Sequence, residues 1–278
     1  MRTLRTCESA VLNTGLSKCP PDFNKVKAAL IVPHGVKLPA ELDAETLEKL
    51  IHEDRSARVY GVGLFVEYAK NGGEVQVSAT GYGPEQVTGV SAWRDTFTME
   101  KFYPELNAAL LRVANQRYDV YFIDEDGLLF GNADGTDVLA GIAMANIYPD
   151  STPHATSGAM ATMTVNFSHL NPKKSYLKFD YRKVDFQPED IELGLTEVKF
   201  EKGDEGYKIY EVIGGNDLTG QYGPLLQEAG AEAFEGNPTT VSYDAAKNVI
   251  VITGGEDAVS LKSPKELYEK GIKGIEAV

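Results

Sequence analysis

The chain is short of cysteine, tryptophan, histidine and positive charge, and each shortage excludes something. Only two cysteines, Cys7 and Cys19, stand among 278 residues. A single pair rules out a disulfide framework, and nothing else in the chain points to the oxidising compartment in which one bridge would persist. With no histidine or further cysteine nearby, the pair does not make a zinc knuckle either. Lys and Arg number 27 against 41 Asp and Glu, a formal net charge of -14. Such a field repels phosphate backbones and anionic membrane surfaces, and no basic run or aromatic-interleaved basic patch offsets it. No window nears the ~20 apolar residues of a membrane helix. The opening MRTLRTCESAVLNTG has no apolar stretch long enough for a secretory signal. The expectation is a soluble protein made in the cytoplasm, with no membrane partner.

Chemical motifs are equally scarce. The histidines His34, His52, His154 and His169 are scattered, without an HExxH or a metal-spaced pair. His34 sits in a Pro-His-Gly turn, His154 follows Pro153, and His52 lies on the acidic side of a helix, so each reads as a satisfied or exposed histidine. Neither Gly89-Val90-Ser91-Ala92-Trp93 nor Thr156-Ser157-Gly158 completes the Gly-x-Ser-x-Gly elbow of a serine hydrolase. Gly61-Val62-Gly63 and Gly81-Tyr82-Gly83 lack the third glycine of a dinucleotide loop. No enzyme activity and no cofactor are expected. The densest carboxylate cluster is Asp124-Glu125-Asp126-Gly127, followed by Asn132, Asp134 and Asp137. Asp124, Asp126 and Asp134 are the calcium candidates, but the spacing lacks the later ligands of a calcium loop, and a solvated hairpin tip accounts for Asp-Gly better.

What is present is β-rich. VKAALIVP (26–33) is a buried strand ended by Pro33 and Gly35. In 41–54, Leu42, Leu47, Leu50 and Ile51 share one helical face opposite acids. A strand over 58–69 runs into the turn Asn71-Gly72-Gly73, after which Val75, Val77 and Ala79 alternate with polar residues. In 87–99, Trp93, Phe97 and Met99 share a face that Asp95 interrupts. Pro104 opens a helix with Leu106, Leu110 and Val113 on one stripe. YDVYFID and LLFG flank the Asp126-Gly127 turn, and Met163, Val165 and Phe167 alternate further on. The polar stretch FQPEDIELG (186–194) divides the chain, and beyond it TEVKFEK, YKIYEVI, TTVSYD and NVIVITG read as strands with turns about every 8–12 residues. The aromatic excess, 14 Tyr and 11 Phe against one Trp, suits sheet cores and subunit contacts more than a carbohydrate platform.

The predicted organisation is an N-terminal arm over 1–24, a β domain with two helices over 25–187, and a small β-sandwich of the immunoglobulin-like kind over 188–278. The fold class is mainly β, in α+β proportions. Contact residues are sought in the arm, in the loop Asn71 to Gly83 with Gly72, Gly73 and Tyr82, and at the tip Asp124, Glu125 and Asp126.

Several stretches carry a resemblance: AALIVPHGVKLPAEL, FVEYAKNGGEVQVSATGYGPEQVTGVSAWRDTFTMEKF, DVYFIDEDGLLFGNADGTDVLAGIAM and KSPKELYEKGIKGIEAV. With these the chain resembles structural virion proteins of tailed phages and prophages of Bacteroidales. The resemblance implies a tail-tube-like β-sandwich or barrel domain, and a tail tube or tail ring subunit in the virion. Its partners would be copies of itself in a hexameric ring, other virion proteins, and DNA passing through the lumen without specific binding. No catalytic residue comes with it. A head–tail connector, a neck or capsid-associated protein, and an adhesion or carbohydrate-binding module are the alternatives.

Overall fold

The computed structural model describes residues 23–79, 81–135, 138–155, 158–187, 189, 194–255 and 259–278. The first strand, β1 (Val26–Pro33), is followed by α1 (Ala44–Ile51), β2 (Tyr60–Gly63), β3 (Phe65–Gly72), β4 (Val75–Ser78), β5 (Gln86–Val90) and β6 (Trp93–Met99). Then come α2 (Pro104–Val113), β7 (Tyr118–Asp124), β8 (Leu128–Ala133), β9 (Leu139–Ala140), β10 (Ile142–Pro149), β11 (Met163–His169), α3 (Pro172–Leu177) and β12 (Phe179–Lys183). The last part holds β13 (Thr196–Lys202), β14 (Tyr207–Glu211), α4 (Thr219–Ala229), β15 (Phe234–Glu235), β16 (Thr240–Asp244), β17 (Val249–Thr253), β18 (Ser260–Leu261), α5 (Pro264–Glu269) and β19 (Ile275–Ala277). The chain is mainly β, as its alternating patterns predict. Two compact units result: residues up to Ala44 with Gly61–Ile191, and Glu45–Tyr60 with Glu192–Val278.

The first unit is built on a ten-stranded sheet in the order β12-β8-β7-β10-β11-β6-β3, with β1 on the other side of β7. Strand β1 runs antiparallel to β7 from Val26↔Asp124 to Pro33↔Tyr118, and β10–β11, β10–β7, β11–β6, β12–β8, β3–β6, β7–β8 and β8–β9 are antiparallel as well. The apolar run of β1 has no polar face because it is buried on both sides, with Ala28, Ala29, Leu30 and Val32 inaccessible. Strands β6 and β11 keep the predicted alternation, burying Phe97, Met99, Met163, Val165 and Phe167. These residues meet Phe65 and Phe122 in an aromatic cluster: Phe65 stacks on Phe97 at 4.6 Å, and Phe167 stands edge-on to Phe97 at 5.8 Å and to Phe122 at 5.4 Å. The two ends of the sheet order, β3 and β12, line one common cavity. Among the described residues, no helix is long and apolar enough to cross a membrane.

The second unit departs from the immunoglobulin-like expectation. It has one five-stranded sheet, β16-β17-β14-β13-β19, in which β13 and β19 run parallel. Helix α4 packs on this sheet, and Tyr222 and Leu226 join Val198, Ile209 and Ile250 in the core. Two alternating strands predict each other's pairing but not what covers their apolar face, and here the cover is a helix. The helix is poorly legible in TGQYGPLLQEA because Gly223 and Pro224 read as a turn. Gly223 is required by packing: a Cβ there would lie 2.3 Å from the Tyr243 ring. The predicted helix at 41–54 also moves, since α1 and the residues after it belong to the second unit rather than to the first. Leu47 and Ile51 are its buried face, as the spacing predicts. His52 is buried and satisfied: the Gly274 N–H donates to its Nε2 at 3.0 Å, so the proton sits on Nδ1, which donates to the Glu48 carbonyl at 2.8 Å. Arg58, also buried, donates to the Glu276 carboxylate at 2.7 Å, and Arg55 donates to the same group at 2.9 Å.

Candidate assembly surface and adjoining cavity

Strand β3 pairs with β6 along one side, and it stands at the end of the sheet order. After buried Phe65 its residues are exposed through Gly72, including Val66 and Tyr68. The chain then leaves the sheet through Gly72 and Gly73, both at φ +72°. Only glycine suits this corner, because a Cβ on Gly72 would lie 1.9 Å from the Ala92 carbonyl oxygen. The ribbon formed by β4 and β5 follows, registered from Val75↔Val90 to Ser78↔Gln86. Val75 and Val77 alternate as the sequence predicts, yet they meet no core: Val75 is 60% exposed and Val87 68%. Tyr82, between the two ribbon strands, is exposed to the full extent, 112%. Alongside the charged Glu67 and Lys70, this edge and ribbon expose six large apolar side chains.

The sequence-derived contact residues thus fall into two groups. Asn71, Gly72 and Tyr82 lie on the exposed edge and ribbon, with Asn71 Nδ2 donating to Thr96 Oγ1 at 3.0 Å, whereas Gly73 is buried against Trp93. The tip residues make hydrogen bonds within the fold. Asp124 is fully buried, and its Oδ1 accepts the N–H groups of Asp126 at 3.0 Å and Leu128 at 2.8 Å, while Oδ2 accepts the N–H of Asn24 at 3.2 Å. Asp126 accepts from the Asn24 amide, and the Glu125 N–H donates to the Lys25 carbonyl at 3.0 Å. An Asx-turn therefore ties the β7–β8 hairpin to the start of β1. The calcium candidates Asp124, Asp126 and Asp134 are not brought together as a ligand set. Asp134 pairs with Lys37, whose hydrogen bond holds its carboxyl below the usual range. Among the described residues no group of three or more His, Cys, Asp or Glu could hold a metal ion. Asp137, Thr156, Ser157, Cys7, Cys19 and arm residues 1–22 lie outside the described residues.

Beside the exposed edge opens a cavity of about 360 Å³. Phe65, Trp93, Phe97, Phe122, Phe130 and Phe179 form its walls, and Lys25, Lys27 and Glu67 also line it. At one side is a polar line that the sequence did not announce as a site. Asp95 Oδ1 accepts from Tyr68 Oη and from Trp93 Nε1, each at 2.8 Å. Asp95 Oδ2 lies 2.8 Å from His169 Nε2, and His169 Nδ1 lies 3.0 Å from Ser175 Oγ. The Trp93 ring stacks on His169 at 3.8 Å with 6° between the planes. The order Ser, His, Asp is that of a hydrolase relay. Ser175, however, is buried and its hydroxyl donates to the Asn171 carbonyl at 3.2 Å, so the line reads as a satisfied polar pillar between β6, β11 and α3. One signal did point here: Asp95 interrupts the apolar face of β6, and an acid on a core face needs donors. Its partners His169 and Ser175 are 74 and 80 positions away, beyond any local pattern.

No protein-family model matches the chain, and no curated protein matches it. Among solved structures it is similar to the anti-feeding prophage cap, a tube-terminating cap determined by cryo-electron microscopy. The match has 12% identity and covers 62% of this chain and 99% of that one, with a TM-score of 0.28.

Proposed function

We propose that this protein is a non-enzymatic structural subunit of a phage-tail-like particle, a tube or ring component that assembles with copies of itself. The observation that carries the reading is the apolar sheet edge and ribbon, β3 with Val66 and Tyr68 and β4–β5 with Val75, Val77, Tyr82 and Val87, all exposed. Extending the sheet at this edge with a strand of another copy would cover the apolar side chains. The opposite end of the sheet order, β12, also exposes Phe179. Joining β3 of one copy to β12 of the next is a heterologous contact, which closes into a ring when the rotation permits. The virion setting comes from the sequence resemblance. An acidic chain suits a lumen through which DNA passes without adhering, since like charges repel.

The test is negative-stain electron microscopy with light scattering on purified full-length protein. Sixfold rings or tubes are the expected result, and twelvefold rings would favour the connector alternative. A monomer at every concentration would overturn self-assembly and bring the binding-module alternative forward. The double substitution Val75→Asp with Val87→Asp should abolish assembly while leaving the monomer folded, because both side chains are exposed.

A further inference from the structure

We propose that the aromatic cavity of one copy receives the Tyr82 side chain from the β4–β5 ribbon of a second copy. This deepens the assembly reading and rests on it. Tyr82 is fully exposed, and its ring is seated against none of the described residues. An aromatic ring held out in water on a ribbon that also exposes Val75, Val77 and Val87 is an anchor without a pocket. The cavity is the complementary feature, a pocket walled by rings, Phe23 among them. Its walls are rings, against which another ring packs edge-on or offset. At about 360 Å³ it is large enough for a phenol ring and part of a neighbouring residue.

Two further observations choose this occupant. The polar groups inside the cavity are already spent on one another: Asp95 accepts from Tyr68 and Trp93 and faces His169, and Ser175 donates to Asn171. What the cavity offers a guest is therefore apolar wall, which suits a tyrosine ring whose hydroxyl stays at the mouth. Charge supplies the second. Residues 73–90 contain Glu74 and Glu85 and no Lys, Arg or His, while the cavity lining carries Lys25 and Lys27 against the single acid Glu67 outside the Asp95 pillar. In a chain of net charge -14, most surfaces repel an acidic ribbon, and a lysine-bearing rim attracts it.

The test is a mixed disulfide between two full-length variants, both carrying Cys7→Ser and Cys19→Ser. One adds Tyr82→Cys and the other Val66→Cys, which lies at the cavity. A linked dimer should form on mild oxidation, and none with Leu111→Cys, exposed on α2 and outside the cavity. In parallel, emission from Trp93, the chain's sole tryptophan and part of the cavity wall, should shift to shorter wavelength as wild-type protein assembles. Tyr82→Ala should raise the concentration needed for assembly by about 30-fold, the effect of losing one anchor residue. If wild-type protein assembles but the Tyr82–Val66 link does not form, or Tyr82→Ala assembles as readily as wild type, the docking is wrong and the assembly reading stands. A wild-type protein that never associates would overturn both.

Discussion

Glu276 in the second unit gathers two arginines, and the balance at that carboxylate is decided by groups distant in sequence. Burial pushes the carboxyl up, but hydrogen bonds from Arg55 and Arg58 outweigh burial and hold it below its ordinary value. The Lys273 hydrogen bond lowers Glu48 and the Lys265 hydrogen bond lowers Glu53 in the same unit. A carboxyl depressed in the folded state binds its proton more weakly there than when unfolded, so its stabilisation is present above the unfolded value of 4.5 and fades as pH falls through the folded one. Urea unfolding should therefore show stability declining below about pH 4.5. Glu276→Ala strands the buried Arg58 and should cost about 3 kcal/mol at neutral pH, measured as a lower urea midpoint. Asp95→Ala would leave the Tyr68 and Trp93 donors without their acceptor in the first unit, with a loss of about 2–3 kcal/mol in the same assay. The Arg58–Glu276 pair is not visible in the sequence, because it spans 218 positions.

At the scale of elements, the ribbon and the helices separate what a pattern specifies from what it leaves open. The alternation Val75, Val77, Ala79 reads as a half-buried strand, and the strand forms, but no core lies beneath it. Periodicity reports that a face is apolar and is silent on whether the cover comes from the same chain or another. Gly72→Ala should misdirect the ribbon, since the added methyl meets the Ala92 carbonyl. It should weaken assembly more than it lowers the melting temperature, as scattering and calorimetry on one sample would show. In α4, Gly223→Ala drives a methyl into Tyr243 and should cost about 1–3 kcal/mol.

The whole molecule is threaded so that the second unit is completed by residues far upstream. Segment 45–60 supplies Arg58 to Glu276, His52 to Gly274 and Glu48 to Tyr268 and Lys273. A fragment of residues 188–278 alone should accordingly fail to unfold cooperatively, whereas the full chain should show that unit's transition by calorimetry. Net charge acts at this scale too. At -14 the copies repel one another, so raising salt toward 1 M should promote assembly through an apolar ribbon.

The sequence by itself determined the β-rich class, most strands of both units, the buried faces of β6 and β11, helices α1 and α2, and the glycine corner at Gly72 and Gly73. These depend on local sterics and on periods of a few residues, which a single chain displays directly. Tertiary structure alone decided that α1 joins the second unit, that α4 covers a sheet where a second sheet was expected, and that Asp124 ties a turn. It also brought Asp95, His169 and Ser175 into line beside an aromatic cavity. Those outcomes depend on which apolar faces find each other across many tens of residues, and hydrophobic burial is non-directional, so no local pattern encodes the partner.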